Sequence, residues 1–232
     1  MTNYTFPPPP VTAVPVQGSD AQFPVRNIYC VGRNYWAHRE EMGVTDRDPP
    51  FFFAKCRDAI VYCAPGATVE IPYPPETSNY HHEIELVVAI GKEGNNISKD
   101  EAVSYIFGYA IGLDMTRRDL QGQAKEKGRP WDNGKNFQYA APMGEIVPIA
   151  KTGEIVDGRI ALSVNGKIRQ EAPMDEMITS VSETIADLSR FHTLYPGDLI
   201  MTGTPAGVGA VVAGDILEGS AEKVGALRVK IV

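Results

Sequence analysis

Short apolar runs, broken by glycine, proline and polar residues, dominate the chain from residue 27 onward, and they predict strands. NIYCVG (27–32) reads as a short buried strand that turns at Gly32, and FFFAK (51–55) as a second. EIELVVAIG is rich in Val and Ile and closes at Gly91, a strong strand. RIALSVNGKIRQE predicts a hairpin, with Asn165–Gly166 as a type I′ turn pair. DLIMTGTPAGVG predicts a strand entering a glycine-rich loop, and ALRVKIV a final strand. Residues 63–80 are rich in proline and suit turns and edge strands.

Helical pattern is scarcer. Tyr35–Met42 predicts a short helix, followed by a polar loop from Thr45 to Pro50, and the two read as a mobile unit. SKDEAVSYIFGYAIGLDMT is expected to open as a helix, with Ser98 as N-cap and Glu101 as its capping-box partner, before an apolar strand FGYAIGLDM. Arg118–Lys127 predicts a helix stopped by Gly128–Arg129–Pro130, and Met174–Phe191 a second amphipathic one. Residues 1–24 carry a proline run and little apolar pattern, which predicts an extended arm over the body, leaving 25–232 as the main domain. There is no βαβ alternation and no repeat of solenoid period. The expected class is α+β, mostly β, with a mixed and largely antiparallel core and a few flanking helices.

Composition adds exclusions. The chain has 232 residues, 43% hydrophobic and 22% charged, which is enough apolar material for a core. The net charge of −7 comes with no basic block, which argues against nucleic acid as a partner. It also gives no steering of an anionic substrate, so an acid would need a bound cation or local arginines to attract it. No run of 18 apolar residues predicts a membrane helix, and the start MTNYTFPPPP lacks a signal-peptide pattern, so a cytoplasmic protein is expected. Cys30, Cys56 and Cys63 have no metal-like spacing and read as buried free thiols. A Cys56–Cys63 disulfide is the less favoured alternative.

The sharpest chemical feature is HHEIEL (81–86). On a strand, Glu83 and Glu85 project to the same side, while Ile84 and Leu86 face the other way. Two neighbouring carboxylates repel unless a cation or a proton joins them. Asp114 is the only carboxylate in the apolar run from Ile106 to Met115, where it needs a partner. Three oxygen donors suit a hard divalent ion. The alternative is two solvent-facing glutamates and a turn-capping aspartate. Zinc on His81 and His82 is disfavoured, because adjacent strand residues face opposite ways.

CVGRNYWAHREEMG, FFFAK, HHEIELVVAIGK, GYAIGLDMTRRDLQ, KGRPWDNGKNF and DLIMTGTPAGVG occur in this order from about Ile28 to Val232. Each is weak alone, but the ordered set is similar to the fumarylacetoacetate hydrolase family, and within it to the short bacterial members and acylpyruvases. The resemblance implies a β-sandwich or β-roll, a homodimer, and one Mg²⁺ per subunit, with Mn²⁺ as the alternative. It also implies a hydrolase that cleaves a carbon–carbon bond of a small 2,4-dioxo acid, as in fumarylpyruvate breakdown during gentisate catabolism. The metal ligands then fall on Glu83, Glu85 and Asp114. His38 and Glu41 match a His–Glu dyad, Arg118 and Gln121 a substrate-contacting segment, Lys135 an active-site lysine and Thr204 the threonine of TGTP. Asn136 departs from the small residue that many relatives carry before Phe137.

Local reasoning supports part of this. His38 and Glu41 are spaced to share one helix face, as a base and its orienting carboxylate would, although a plain surface pair has the same spacing. Glu40 points about 100° away. Gly134 would let Lys135 approach a pocket floor, against the usual solvated fate of lysine. Arg117 and Arg118 cannot both point inward. The glycines 203, 207 and 209 suggest a tight loop with N–H groups free to face an anion. Two other functional readings stay open. One uses the same metal site for oxaloacetate decarboxylation or tautomerisation, or for 2-oxo-alkenoate hydration or isomerisation. The other is a non-catalytic metal-binding module.

Overall fold

The computed structural model describes residues 3–41 and 49–232. Two sheets face each other across the main core. The larger runs in the order Phe51–Lys55, Ile28–Gly32, Leu199–Met201, Ile84–Ile90, Ile106–Leu113, Ala141–Met143, Ile60–Tyr62. The smaller runs Lys167–Pro173, Arg159–Val164, Ile216–Ala221, Gly225–Ile231, Val69–Ile71. Most pairs are antiparallel, and Leu199–Met201 lies parallel to Ile28–Cys30. A three-stranded ribbon holds Thr116–Arg117, Tyr80–His82 and Gly209–Val211 at one end of the core. The class is α+β, mostly strand, with few helices.

Strand Ile84–Ile90 is buried on both faces. Ile84, Leu86, Val88 and Ile90 pack into the core between the sheets with Leu162, Leu217 and Leu227. Val87 and Ala89 face a second cluster that contains Val14, Val16, Phe23 and Val25. Covering this second face is the work of the N-terminal segment. Residues 1–24 had been expected to lie as an extended arm. Within them Ala13–Pro15 pairs with Gln22–Pro24 as a small hairpin whose apolar side chains seal the large sheet.

Three expectations are corrected. The segment from Ser98 gives only a 3₁₀ turn at Ala102–Tyr105, although the Ser98 hydroxyl does donate to Glu101 at 2.7 Å. Too few residues separate Ser98 from the strand at Ile106 for a helix to propagate. The helix expected over Met174–Phe191 begins only at Val181, behind a capping box of Ser180 and Glu183. Asn34 explains the delay. Its backbone and side-chain oxygens accept the N–H groups of Ile178 and Thr179 and hold that stretch out of helix. All three cysteines are free, but Cys56 is exposed rather than buried. The hairpin at Asn165–Gly166 carries the positive φ angles of a type I′ turn, 52° and 75°. No helix among the described residues is long and apolar enough to cross a membrane.

Candidate active site

Register brings the acidic residues together. Strands Ile84–Ile90 and Ile106–Leu113 pair with Glu85 opposite Gly112, and the ladder extends one step further as the Asp114 N–H donates to the Glu83 carbonyl at 2.8 Å. Glu83, Glu85 and Asp114 therefore project from the same face at the end of the sheet. Gly112 leaves space for the Val87 side chain of the paired strand, since a Cβ there would lie 2.8 Å from Val87 Cγ2. Ligand oxygens of the three lie within 4.8 Å of one another, and all three side chains are buried.

Cations surround the trio. Lys135 Nζ lies 2.7 Å from Glu83 Oε2 and 2.6 Å from Asp114 Oδ2. Lys55 Nζ lies 2.8 Å from Asp114 Oδ1, an ion pair whose angles leave that oxygen without a hydrogen bond. The Arg118 guanidinium bonds Glu83 Oε1 and donates to Gln121 Oε1 at 2.6 Å. Burial pushes the Glu83 carboxyl up, but Lys135 and Arg118 outweigh it and hold the group well below the usual carboxylate range. Glu85 goes the other way. Burial, and then the charges of Asp114 and Glu83, push it well above that range, although the Gly203 N–H donates to it at 2.8 Å. The mutual repulsion of the three carboxylates thus falls on Glu85, while Lys135 and Arg118 hold Glu83 down. A divalent cation would offset that repulsion, so the set of three oxygen donors fits a hard metal.

Local structure explains how the other residues arrive. Lys135 ends the short helix Asp132–Lys135, and Gly134 lets that turn pack on helix Arg118–Glu126. A Cβ at Gly134 would sit 2.8 Å from the Gln121 backbone N. Arg118 faces the cleft, whereas Arg117 stacks over Phe137 at 4.2 Å. Asn136 does not enter the pocket. Its side-chain oxygen accepts the Cys56 N–H at 2.7 Å and ties the end of the lysine turn to the strand carrying Lys55.

His38 lies on helix Trp36–Glu41 and is buried at the cleft wall. Met42 and residues 43–48, where the sequence suggested a mobile loop, lie outside the described residues. Burial lowers the His38 pKa, helped by Arg118 and opposed by Glu83 and Glu41, so the ring is neutral at pH 7. Glu41 Oε2 stands 3.6 Å from His38 Nδ1, and the Glu41 carboxylate also accepts the Gly207 N–H at 3.0 and 3.1 Å. Two N–H groups of the glycine-rich loop thus face carboxyl groups of the chain itself, those of Glu85 and Glu41. Thr204 lines the cleft, but its hydroxyl donates to the Ile84 carbonyl and accepts from Gln170, each at 2.8 Å.

The structure adds residues that sequence reasoning passed over. Lys55 ends an apolar strand, and the cost of burying an ammonium there was a usable signal. His81 Nδ1 accepts from Arg118 Nε at 3.4 Å, and Nε2 pairs with Asn79 at 2.8 Å. His82 turns the other way, to Gln170, so neither histidine joins the trio. Arg33, Phe53 and Trp131 complete the cleft wall.

A buried acidic trio beside a cleft lined with fixed cations marks an enzyme built to hold a divalent ion and an acid together. The chain belongs to the fumarylacetoacetate hydrolase family: residues 27–232 match the model of the fumarylacetoacetate (FAA) hydrolase C-terminal domain. It is 52% identical over 182 residues to fumarylpyruvate hydrolase of Ralstonia sp., covering 78% of this chain and 92% of that one. The crystal structure of fumarylpyruvate hydrolase from Pseudomonas aeruginosa in complex with Mn²⁺ and pyruvate superposes with a TM-score of 0.98 at 50% identity, covering 99% of both chains. Rat mitochondrial oxaloacetate tautomerase FAHD1 is 41% identical over 206 residues, 89% of this chain and 91% of that one.

Proposed function

We infer that this protein hydrolyses the carbon–carbon bond of an acylpyruvate, with fumarylpyruvate as substrate and fumarate and pyruvate as products. The observation that carries the reading is the convergence of Glu83, Glu85 and Asp114 in one cleft with His38, Lys135 and Arg118. The relatives named fumarylpyruvate hydrolase, one of them bound to Mn²⁺ and pyruvate, support the choice of substrate.

Each side chain has a task in this scheme. Arg118 anchors the pyruvyl carboxylate through its planar fork, and Gln121 steadies that guanidinium. His38, neutral and oriented by Glu41, takes a proton from water as the water oxygen attacks the 4-oxo carbon. Lys135 donates to the oxygen that gains charge in that attack. The C3–C4 bond then breaks and its electron pair passes through C3 to the 2-oxo oxygen. Glu83, Glu85 and Asp114 would hold a divalent ion, which would supply Lewis-acid stabilisation of the negative charge that develops. Proton return to C3 completes pyruvate. The Gly203 and Gly207 N–H groups hold Glu85 and Glu41 in place, and Thr204 ties their loop to the Ile84 carbonyl.

Mg²⁺ as the ion, a homodimeric assembly, a cytoplasmic location and the division into an arm of 1–24 and a catalytic domain of 25–232 belong to the same proposal. Kinetics on fumarylpyruvate and acetylpyruvate, with Mg²⁺ or Mn²⁺ added and both products quantified, test it. Turnover to two acids is expected. CO₂ release or isomerisation of oxaloacetate without hydrolysis of either 2,4-dioxo acid would move the protein to the activity named for its FAHD1 relative.

A further inference from the structure

Among the described residues, each cation at the cleft has a carboxylate partner except one. Lys135 and Arg118 hold Glu83, and Lys55 pairs with Asp114. Arg33 also lines the cleft, yet no ion pair reaches it, and its Nε is buried without a hydrogen-bond partner. Its backbone is unusual as well, with φ at +59°, a left-handed conformation that costs a non-glycine residue energy. An outlier of this kind persists only where the surroundings impose it, and here they do. Asn34, the next residue, donates to the carbonyls of Thr179 and Thr202 and accepts from Thr179 N, all at 2.8 Å, while Gly203 packs against its side chain. The backbone is thus clamped so that a strained, unpaired arginine faces the site.

Arg33 also lines a side pocket that opens beside the cleft, together with Pro50, Phe51, Ile178 and Thr179. Its guanidinium lies 5.6 Å from the Phe51 ring centroid. The pocket's described lining sets Pro49, Pro50, Phe51 and Ile178 beside the polar Asn34 and Thr179, with one guanidinium and, among the described residues, no acidic side chain. That chemistry suits a flat hydrocarbon arm that ends in a carboxylate.

We propose that Arg33 is the specificity-determining residue for the acyl half of the substrate: its guanidinium binds a carboxylate at the far end of the acyl arm, which lies in the pocket of Pro50, Phe51, Ile178 and Thr179. This rests on the acylpyruvate reading and sharpens it. Arg118 takes the pyruvyl carboxylate, Arg33 takes the distal one, and the scissile carbon lies between them. An acyl group ending in methyl leaves Arg33 unpaired and loses that interaction.

The test compares wild type with Arg33→Gln. The ratio of kcat/KM for fumarylpyruvate to that for acetylpyruvate should fall about 10- to 100-fold in the variant, as expected for loss of a charged hydrogen-bonded pair. A ratio within twofold of wild type would overturn the assignment. Calorimetric binding of fumarate and of crotonate, its analogue with methyl in place of one carboxylate, gives a readout independent of turnover. Wild type should prefer fumarate, and Arg33→Gln should erase the preference; a variant that keeps it, or a wild type without it, removes Arg33 from this role. Should wild type hydrolyse neither 2,4-dioxo acid, the reaction assigned above is wrong, and the fumarate–crotonate comparison still decides Arg33. Arg33→Lys serves if the glutamine variant does not fold: lacking the planar fork, it should show a preference at least threefold below wild type, and an undiminished one would overturn the proposal.

Discussion

Lys135 Nζ lies 2.6 Å from Asp114 Oδ2, so an ammonium already bridges two of the carboxylates proposed to hold the metal. The lysine therefore has two tasks. It neutralises buried charge when no ion is bound, and it presents a donor to substrate when one is. Lys135→Met should separate them. Without metal the variant should lose about 3–5 kcal/mol of stability, because Glu83 and Asp114 are left buried with one cation fewer. Saturating Mn²⁺ should recover most of that loss, while kcat stays at least about 100-fold down. Thermal unfolding with and without the ion makes the comparison, and an apo variant as stable as wild type would refute the neutralising role.

The opposite shifts of Glu83 and Glu85 give a second contrast. Burial and its acidic neighbours push Glu85 up, so its charge is the costlier of the two to keep, and glutamine removes that charge with little change of shape. Glu85→Gln should unfold within about 1 kcal/mol of wild type in the absence of metal, yet bind the ion far more weakly. Glu83→Gln removes an ionised partner from Lys135 and Arg118 and should cost several times more stability. Metal titration by calorimetry, paired with denaturant unfolding, distinguishes the two. Equal stability losses would show that Glu85 is charged in the apo protein.

Much of this site was legible in the sequence because it rests on strand periodicity. Glu83 and Glu85 are two apart, and Asp114 interrupts an apolar run, so their shared face follows from pleat and register. Lys135 and Gln121 came from motif likeness, and the packing reason, a glycine between two helices, became visible only in three dimensions. Asn34 shows the limit. One asparagine on a distant loop holds Ile178 and Thr179 out of helix, between a 3₁₀ turn at Met174–Glu176 and the helix from Val181, and no local signal announces a contact made 145 residues away. Arg33 was missed for a related reason. Its significance lies in having no partner, and a missing partner cannot be read from spacing.

His38 sets the acid side of the pH profile. The ordinary histidine value is 6.5; burial, aided by Arg118, lowers it, and the neutral ring is the working base. A lowered pKa keeps the active form dominant at pH 7 and confines the loss of kcat/KM to the region below 6.5. Glu41 raises the His38 pKa, so Glu41→Gln should move the acid limb to lower pH while reducing kcat through poorer orientation of the ring. Rate profiles from pH 4.5 to about 8 on a single substrate read both effects. An acid limb above 6.5 in wild type would mean that another group supplies the base.

Gly134 tests how tightly the site depends on its scaffold. Gly134 carries no side chain into the cleft, and it occupies a helical turn where alanine has better intrinsic propensity. A Cβ there would lie 2.8 Å from the Gln121 N and 2.9 Å from its Cα, closer than ordinary packing allows. Backbone atoms cannot yield as a flexible side chain would, so Gly134→Ala should push the two helices apart by a fraction of an ångström. Lys135 and Gln121 ride on those helices, and a small misplacement of catalytic groups is costly. The variant should fold and bind Mn²⁺ near wild-type affinity, because Glu83, Glu85 and Asp114 sit on the sheet. Its kcat should fall about 10- to 100-fold, and KM should rise as well, because Arg118 shares the displaced helix. Unaltered kcat would show that the helix pair absorbs the methyl group without moving Lys135, and that the spacing of these two helices does not limit the reaction.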